Sequence, residues 1–96
     1  MPTFSPTPRF LRDLNKLTGD EQQRFKRVVL DEFVPDLAAG HFRVGLRVKG
    51  VRGVPGVFEM TWAPDGRATW RYGSEQRPGE PYVIWLRIGG HGIFGV

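Results

Sequence analysis

The chain has 96 residues, 40% of them hydrophobic and 25% charged, enough for one core and a single domain spanning 1–96 but too few for two. It has no cysteine, which excludes disulfides, thiolate chemistry and sulfur-ligated zinc, and its two histidines, His41 and His91, far apart in sequence, give little support for a metal site. The net charge is +4, with a pI of about 10.1. Residues 1–45 hold seven Lys/Arg against six Asp/Glu, and residues 46–96 hold seven against four, so the excess sits in the second half. A basic excess of this kind favours nucleic acid or an acidic protein as partner. No apolar run approaches the ~20 residues that span a bilayer, and the N-terminus lacks a charged-then-apolar signal pattern. A cytoplasmic protein, with no membrane attachment and no cofactor, is therefore expected.

Thr3 to Thr7 is short and interrupted by Pro6, which cannot donate to a ladder, so it reads as an edge strand or an extended arm. Pro8 suits the first turn of a helix in which Phe10, Leu11, Leu14 and Leu17 fall at helical spacing and Arg9, Arg12, Asp13 and Lys16 face water. Thr18 and Glu21 form a capping-box pattern that opens a second helix. Phe25, Val28, Val29 and Phe33 make its buried stripe, and Pro35 marks its expected end.

After Ala39-Gly40-His41 the period changes to two. Leu46 and Val48 alternate with Arg47 and Lys49, and a turn-rich stretch follows from Gly50 to Gly56. Phe58, Met60 and Trp62 alternate with Val57, Glu59 and Thr61, and Pro64-Asp65-Gly66 marks a turn. Ala68, Trp70 and Tyr72 alternate with Arg67, Thr69 and Arg71. A polar loop from Gly73 to Pro81 leads to a last strand in which Tyr82, Ile84, Leu86 and Ile88 alternate with Val83, Trp85 and Arg87. This last strand is apolar on much of both faces, as a central strand would be. The pattern predicts an α+β domain: an N-terminal α-hairpin packed on one face of a small, mostly antiparallel sheet of four to five strands.

Residues two apart share a face of a strand. The apolar set would lie under the helices, and the opposite face collects Arg47, Lys49, Glu59, Thr61, Arg67, Thr69, Arg71, Trp85 and Arg87. Such a face suits a polyanion, RNA in particular. Guanidinium groups pair with phosphate oxygens through a planar fork of fixed charge. His91, in the Gly-rich segment after the last strand, brings a side chain that titrates near neutrality. Each of these residues can also be read as an ordinary solvated charge, with Glu59 pairing to an arginine across the ladder.

The element order resembles the RelE/ParE superfamily of bacterial type II toxins. The residues that carry the likeness are Arg9-Phe10-Leu11-Arg12-Asp13-Leu14 and the helix Glu21 to Phe33, then Gly45-Leu46-Arg47-Val48-Lys49-Gly50 and Phe58-Glu59-Met60-Thr61-Trp62. Gly66-Arg67-Ala68-Thr69-Trp70-Arg71-Tyr72 and Val83-Ile84-Trp85-Leu86-Arg87-Ile88, followed by His91, complete it. The resemblance implies a compact toxin neutralised by a cognate antitoxin. In the RelE-like branch it implies metal-independent cleavage of mRNA in the ribosomal decoding site, which inhibits translation; in the ParE-like branch it implies inhibition of DNA gyrase. A catalytically silent domain that binds only RNA or antitoxin is a further alternative.

On the RelE-like expectation, Arg67, Arg71 and His91 are the catalytic candidates and Arg47, Lys49, Arg52 and Arg87 handle phosphate. Glu59 serves as a base or an ion-pair partner. Two positions depart from the family pattern: Thr61 stands where many relatives carry another arginine, and Phe94 where active relatives often carry tyrosine. Phe94 can stack on a base but cannot move a proton.

Overall fold

The computed structural model describes residues 2–94. β1 (Thr3–Pro6) leads into α1 (Pro8–Asn15) and α2 (Gly19–Val28). A π-helical turn (Val29–Phe33) continues without a break into α3 (Val34–Ala39). A single 3₁₀ turn (Val44–Leu46) precedes β2 (Lys49–Gly50), β3 (Val57–Thr61), β4 (Arg67–Arg77) and β5 (Glu80–Gly89), and a 3₁₀ turn (His91–Phe94) follows. The five strands form one sheet in the order β1-β5-β4-β3-β2, with β1 parallel to β5 and every other pair antiparallel. The α+β expectation holds, and β1 is an edge strand as Pro6 requires.

The helix starts follow the residues. The Thr7 hydroxyl accepts from the Phe10 amide, with Pro8 in the first turn of α1. At α2, Thr18 Oγ1 accepts from the Glu21 amide at 3.2 Å while Glu21 Oε1 accepts from the Thr18 amide at 2.8 Å, which is the capping box read from the sequence. Pro35 does not end the helical run. It has no N–H to give, and in an α-helix its ring would meet the carbonyl four residues back. The wider π turn just before it makes room, and the chain stays helical until Gly40, which takes the left-handed conformation at φ 88°.

The core is aromatic. Trp70 and Phe33 are fully buried and meet edge to face with ring centroids 4.9 Å apart. Trp85 is 5% exposed and touches Phe4, Phe10, Phe25, Phe33 and Trp70. This corrects the expectation that Trp85 belongs to the basic face. Trp70 pairs with Trp85 but the neighbouring Thr69 pairs with Arg87, so Leu86 is an extra residue, a β-bulge that reverses the alternation. Val83 and Trp85 therefore join Ile88 on the buried side.

The same region corrects α1. Asp13 is buried, and Leu11 is the exposed residue instead. β1 ends at Pro6 and the last backbone bond on this edge runs from the Thr7 amide to the Trp85 carbonyl. Beyond that point β5 has no neighbouring strand on the β1 side, and the Ile88 amide would be buried without an acceptor. Asp13 Oδ2 supplies one at 3.2 Å and also accepts from Arg87 Nε at 2.6 Å. Burial pushes the Asp13 carboxyl up, but the hydrogen bonds from Arg87 and Ile88 and the charges of Arg87 and Arg9 outweigh it, and the net shift is downward.

Two further expectations fail. The strand predicted at Leu46–Lys49 shrinks to Lys49–Gly50, because Arg47 sits in the left-handed region at φ 49° and breaks the extended chain. The loop predicted at Gly73–Pro81 is mostly strand: β4 runs to Arg77, Arg77 pairs with Glu80, and the reversal is confined to Pro78-Gly79. Tyr72, placed in the core by its register, is 42% exposed at the base of this arm.

Candidate active site

The sheet face away from the helices carries the cleft. Antiparallel register sets Lys49 opposite Glu59, Glu59 opposite Thr69, and Thr61 opposite Arg67. Since Met60, Ala68 and Trp70 point into the core, these polar side chains must point out. Lys49, Glu59, Thr61 and Arg67 form one wall of a cleft of about 590 Å³ that is also lined by Val44, Arg47, Val48 and His91. A second cleft of about 560 Å³ adjoins it, lined by Lys49, Val51, Arg52, Val54, Glu59, His91, Ile93 and Phe94. Lys49, Glu59 and His91 belong to both. The fold thus gathers Arg47, Lys49, Arg52, Glu59, Arg67 and His91, six of the eight site residues proposed from sequence.

Arg67 is held more firmly than a surface cation. It is 8% exposed, and its Nη1 donates to the Gly66 carbonyl at 3.0 Å and more weakly to those of Pro64 and Ala63. One nitrogen thereby ties the guanidinium to the 63–66 turn, and Nε and Nη2 meet no acceptor among the described residues. A fork anchored at one end and free at the other is preorganised for an anion. Glu59 pairs with Lys49 (Nζ to Oε1, 3.9 Å), not with an arginine. Arg47 owes its place in the cleft to its left-handed backbone. For a non-glycine residue that conformation costs about 1–2 kcal/mol, a cost that persists at positions with a use.

His91 lies on the exposed turn after β5, with Nδ1 3.1 Å from Asp65 Oδ1. An ionised carboxylate can only accept, so Nδ1 carries the hydrogen and Nε2 is left as the nitrogen that can take or give a proton. Asp65 was legible only as part of a Pro-Asp-Gly turn, and nothing in its spacing tied it to a residue 26 positions away. The approach depends on Gly90: a Cβ there would stand 2.5 Å from Asp65 Oδ2. Phe94 is 38% exposed beside His91, with ring centroids 6.5 Å apart.

Arg71 and Arg87 are not gathered with the others. Arg71 lies four residues along β4 from Arg67, opposite Val57, exposed and outside both clefts. Arg87 is turned over the sheet edge to Asp13. Among the described residues no group of three His, Cys, Asp or Glu side chains is placed to hold a metal ion, and no helix is long and apolar enough to cross a membrane.

The sheet thus carries the helices on one face and a basic cleft on the other. No protein-family model and no curated protein matches the chain. Its likeness to solved structures is extensive. The E. coli DinJ–YafQ toxin–antitoxin complex contains a chain that matches at a TM-score of 0.71 and 9% identity, covering 99% of this chain and 98% of that one. The RelBE2 toxin–antitoxin complex from Mycobacterium tuberculosis matches at 0.66 and 20% identity, covering 95% of this chain and 100% of its own. A copper-bound mutant toxin from Helicobacter pylori matches at 0.65 and 20%, covering 97% and 98%. The chain has the fold of the RelE/ParE toxin superfamily.

Proposed function

We propose that this chain is the toxin of a type II toxin–antitoxin pair and that it cleaves mRNA on the ribosome without a metal ion. The observation that carries this reading is the convergence of an anchored Arg67, the cations Arg47, Lys49 and Arg52, the carboxylate Glu59 and the Asp65-oriented His91 on adjoining clefts. Cleavage by the 2′-hydroxyl needs a base, an acid, and charge to stabilise the pentavalent phosphate. Glu59 takes the 2′-hydroxyl proton as the oxygen attacks phosphorus. Arg67 and Lys49 hold the non-bridging oxygens, and His91 protonates the leaving 5′-oxygen through Nε2. The products are a 2′,3′-cyclic phosphate and a 5′-hydroxyl. Phe94 offers an aromatic face to a neighbouring base, and neither Thr61 nor Phe94 is asked to move a proton. The partner that silences the toxin is a cognate antitoxin, and a basic cleft of this kind suits an acidic segment of it.

The test is primer extension on cellular mRNA after induced expression, with gyrase-dependent DNA breaks assayed in the same cells. Translation-dependent cuts that vanish in His91→Ala and Arg67→Lys are expected, with loss of cleavage by His91→Ala of roughly 10²–10⁴-fold. The Lys variant keeps a charge and a donor for the turn but removes the fork, so its fold should survive. Intact mRNA with broken DNA would transfer the chain to gyrase inhibition, and neither signal would leave a binding domain.

A further inference from the structure

The outer face of α1 and the Lys16 that caps its C-terminus carry three cations, Arg9, Arg12 and Lys16, all exposed. The spacing of three and then four residues puts one cation on each turn along a single stripe, about 10 Å from end to end. Asp13 is the only acid in this helix, and its carboxylate is turned inward to Arg87 and the Ile88 amide. Arg9 feels that charge, yet none of the three cations has an ion-pair partner within 4.0 Å among the described residues. The stripe is thus stripped of its natural neutraliser by the device that closes the β5 edge.

The stripe also leads to the site. Lys16 and Arg87 line a shallow depression with Gly89, Gly90 and Ile93. Ile93 lines the cleft beside His91 as well, so only the His91–Phe94 turn separates the two. An extended polyanion lying across the cleft can pass over this turn and continue along α1 with its charges in step with the cations.

We infer that the α1 face is a second RNA contact, a phosphate track that holds the strand running out of the cleft. This rests on the proposed RNA-cleaving function. It adds an interaction surface on the opposite side of the sheet, whose role is affinity for longer RNA and not chemistry. The three residues touch no reacting group.

The variant is Arg9→Gln/Arg12→Gln/Lys16→Gln, since Gln has nearly the helix propensity of Arg and Lys and should leave α1 folded. Binding of fluorescein-labelled, uncleavable 2′-O-methyl RNA is followed by anisotropy over a range of KCl, with a trinucleotide and a strand of about 12 nucleotides. Each phosphate contact to single-stranded RNA contributes about 0.7 to the slope of log affinity against log salt, so the variant should lose about 2 from that slope with the long strand. From 50 to 200 mM KCl the parent should therefore lose about twentyfold more affinity than the variant. Trinucleotide binding should be unchanged, and Arg67→Lys should weaken both lengths.

Equal slopes for parent and variant, with Arg67→Lys still weakening both strands, would overturn the track and leave the cleft reading intact. A parent that binds neither strand would overturn both. A variant unchanged toward RNA but weakened toward a poly-glutamate peptide would assign the stripe to an acidic protein instead and refute the inference.

Discussion

Removing the Asp13 carboxylate should destabilise the protein more than any other single polar change. Two groups depend on it: the Ile88 amide, which is buried, and the Arg87 guanidinium, whose side chain is 30% exposed. A buried amide left without an acceptor costs about 1–3 kcal/mol. Breaking a fully buried ion pair costs about 3–5 kcal/mol, but Arg87 reaches water and can recover much of its solvation. Asp13→Ala should therefore cost about 2–4 kcal/mol, a large share of the roughly 5–15 kcal/mol expected of such a domain. Asp13→Asn keeps an oxygen for Ile88 and should cost about half as much. Urea unfolding measures both, through a fall in midpoint with little change in slope. The acid dependence gives an independent check. The folded carboxyl titrates below the ordinary aspartate value of 3.8, so the stability it adds is complete above that value and is lost as pH falls through the folded pKa. The gap between parent and Asp13→Asn should be constant near neutrality and close below about pH 4. If Asp13→Ala shifts stability by less than about 0.5 kcal/mol, the argument that β5 needs this acceptor is wrong.

Asp36 accepts from the amide, Nε and Nη2 of Arg43, which together hold its carboxyl at about 2. Its NMR titration should centre near that value, and the stability it contributes should disappear as pH falls from about 4 toward 2. Gly90→Ala would drive a methyl group into Asp65 and release His91; mRNA cleavage should fall about tenfold or more with little change in melting temperature, and an unchanged rate would remove Asp65 from the mechanism. Arg47→Gly should do two opposite things. It relieves a left-handed residue and should raise stability by about 1 kcal/mol, while weakening RNA binding by removing a cleft cation. A variant that is less stable would show that the Arg47 backbone is not strained.

The capping box, the first helix and the cationic sheet face were legible because each rests on residues close in sequence. The misreadings share a different cause. Val83 to Ile88 is apolar at both registers, so alternation alone cannot say which set is buried. Leu86 decides it by bulging, which reverses the residues before it. It puts Trp85 into the core, where five aromatic neighbours receive it, while Arg87 keeps its register opposite Thr69 and its side chain reaches over the sheet edge. At the edge Arg87 meets Asp13, which spacing alone had assigned to water. Once Asp13 is engaged there, Arg9, Arg12 and Lys16 have no acid of their own on α1. The arginine lost from the sheet face and the cations left unpaired on the helix are therefore one event. Deleting Leu86 removes the extra residue but leaves Trp85 opposite Trp70 and Arg87 opposite Thr69, so Trp85 should stay buried and the Arg87–Asp13 pair should survive, read as an unshifted tryptophan emission without the stability loss of Asp13→Ala. A red-shifted emission would show that the strand had slipped instead of closing over the gap, and that the Trp70–Trp85 pairing does not set the register of β5.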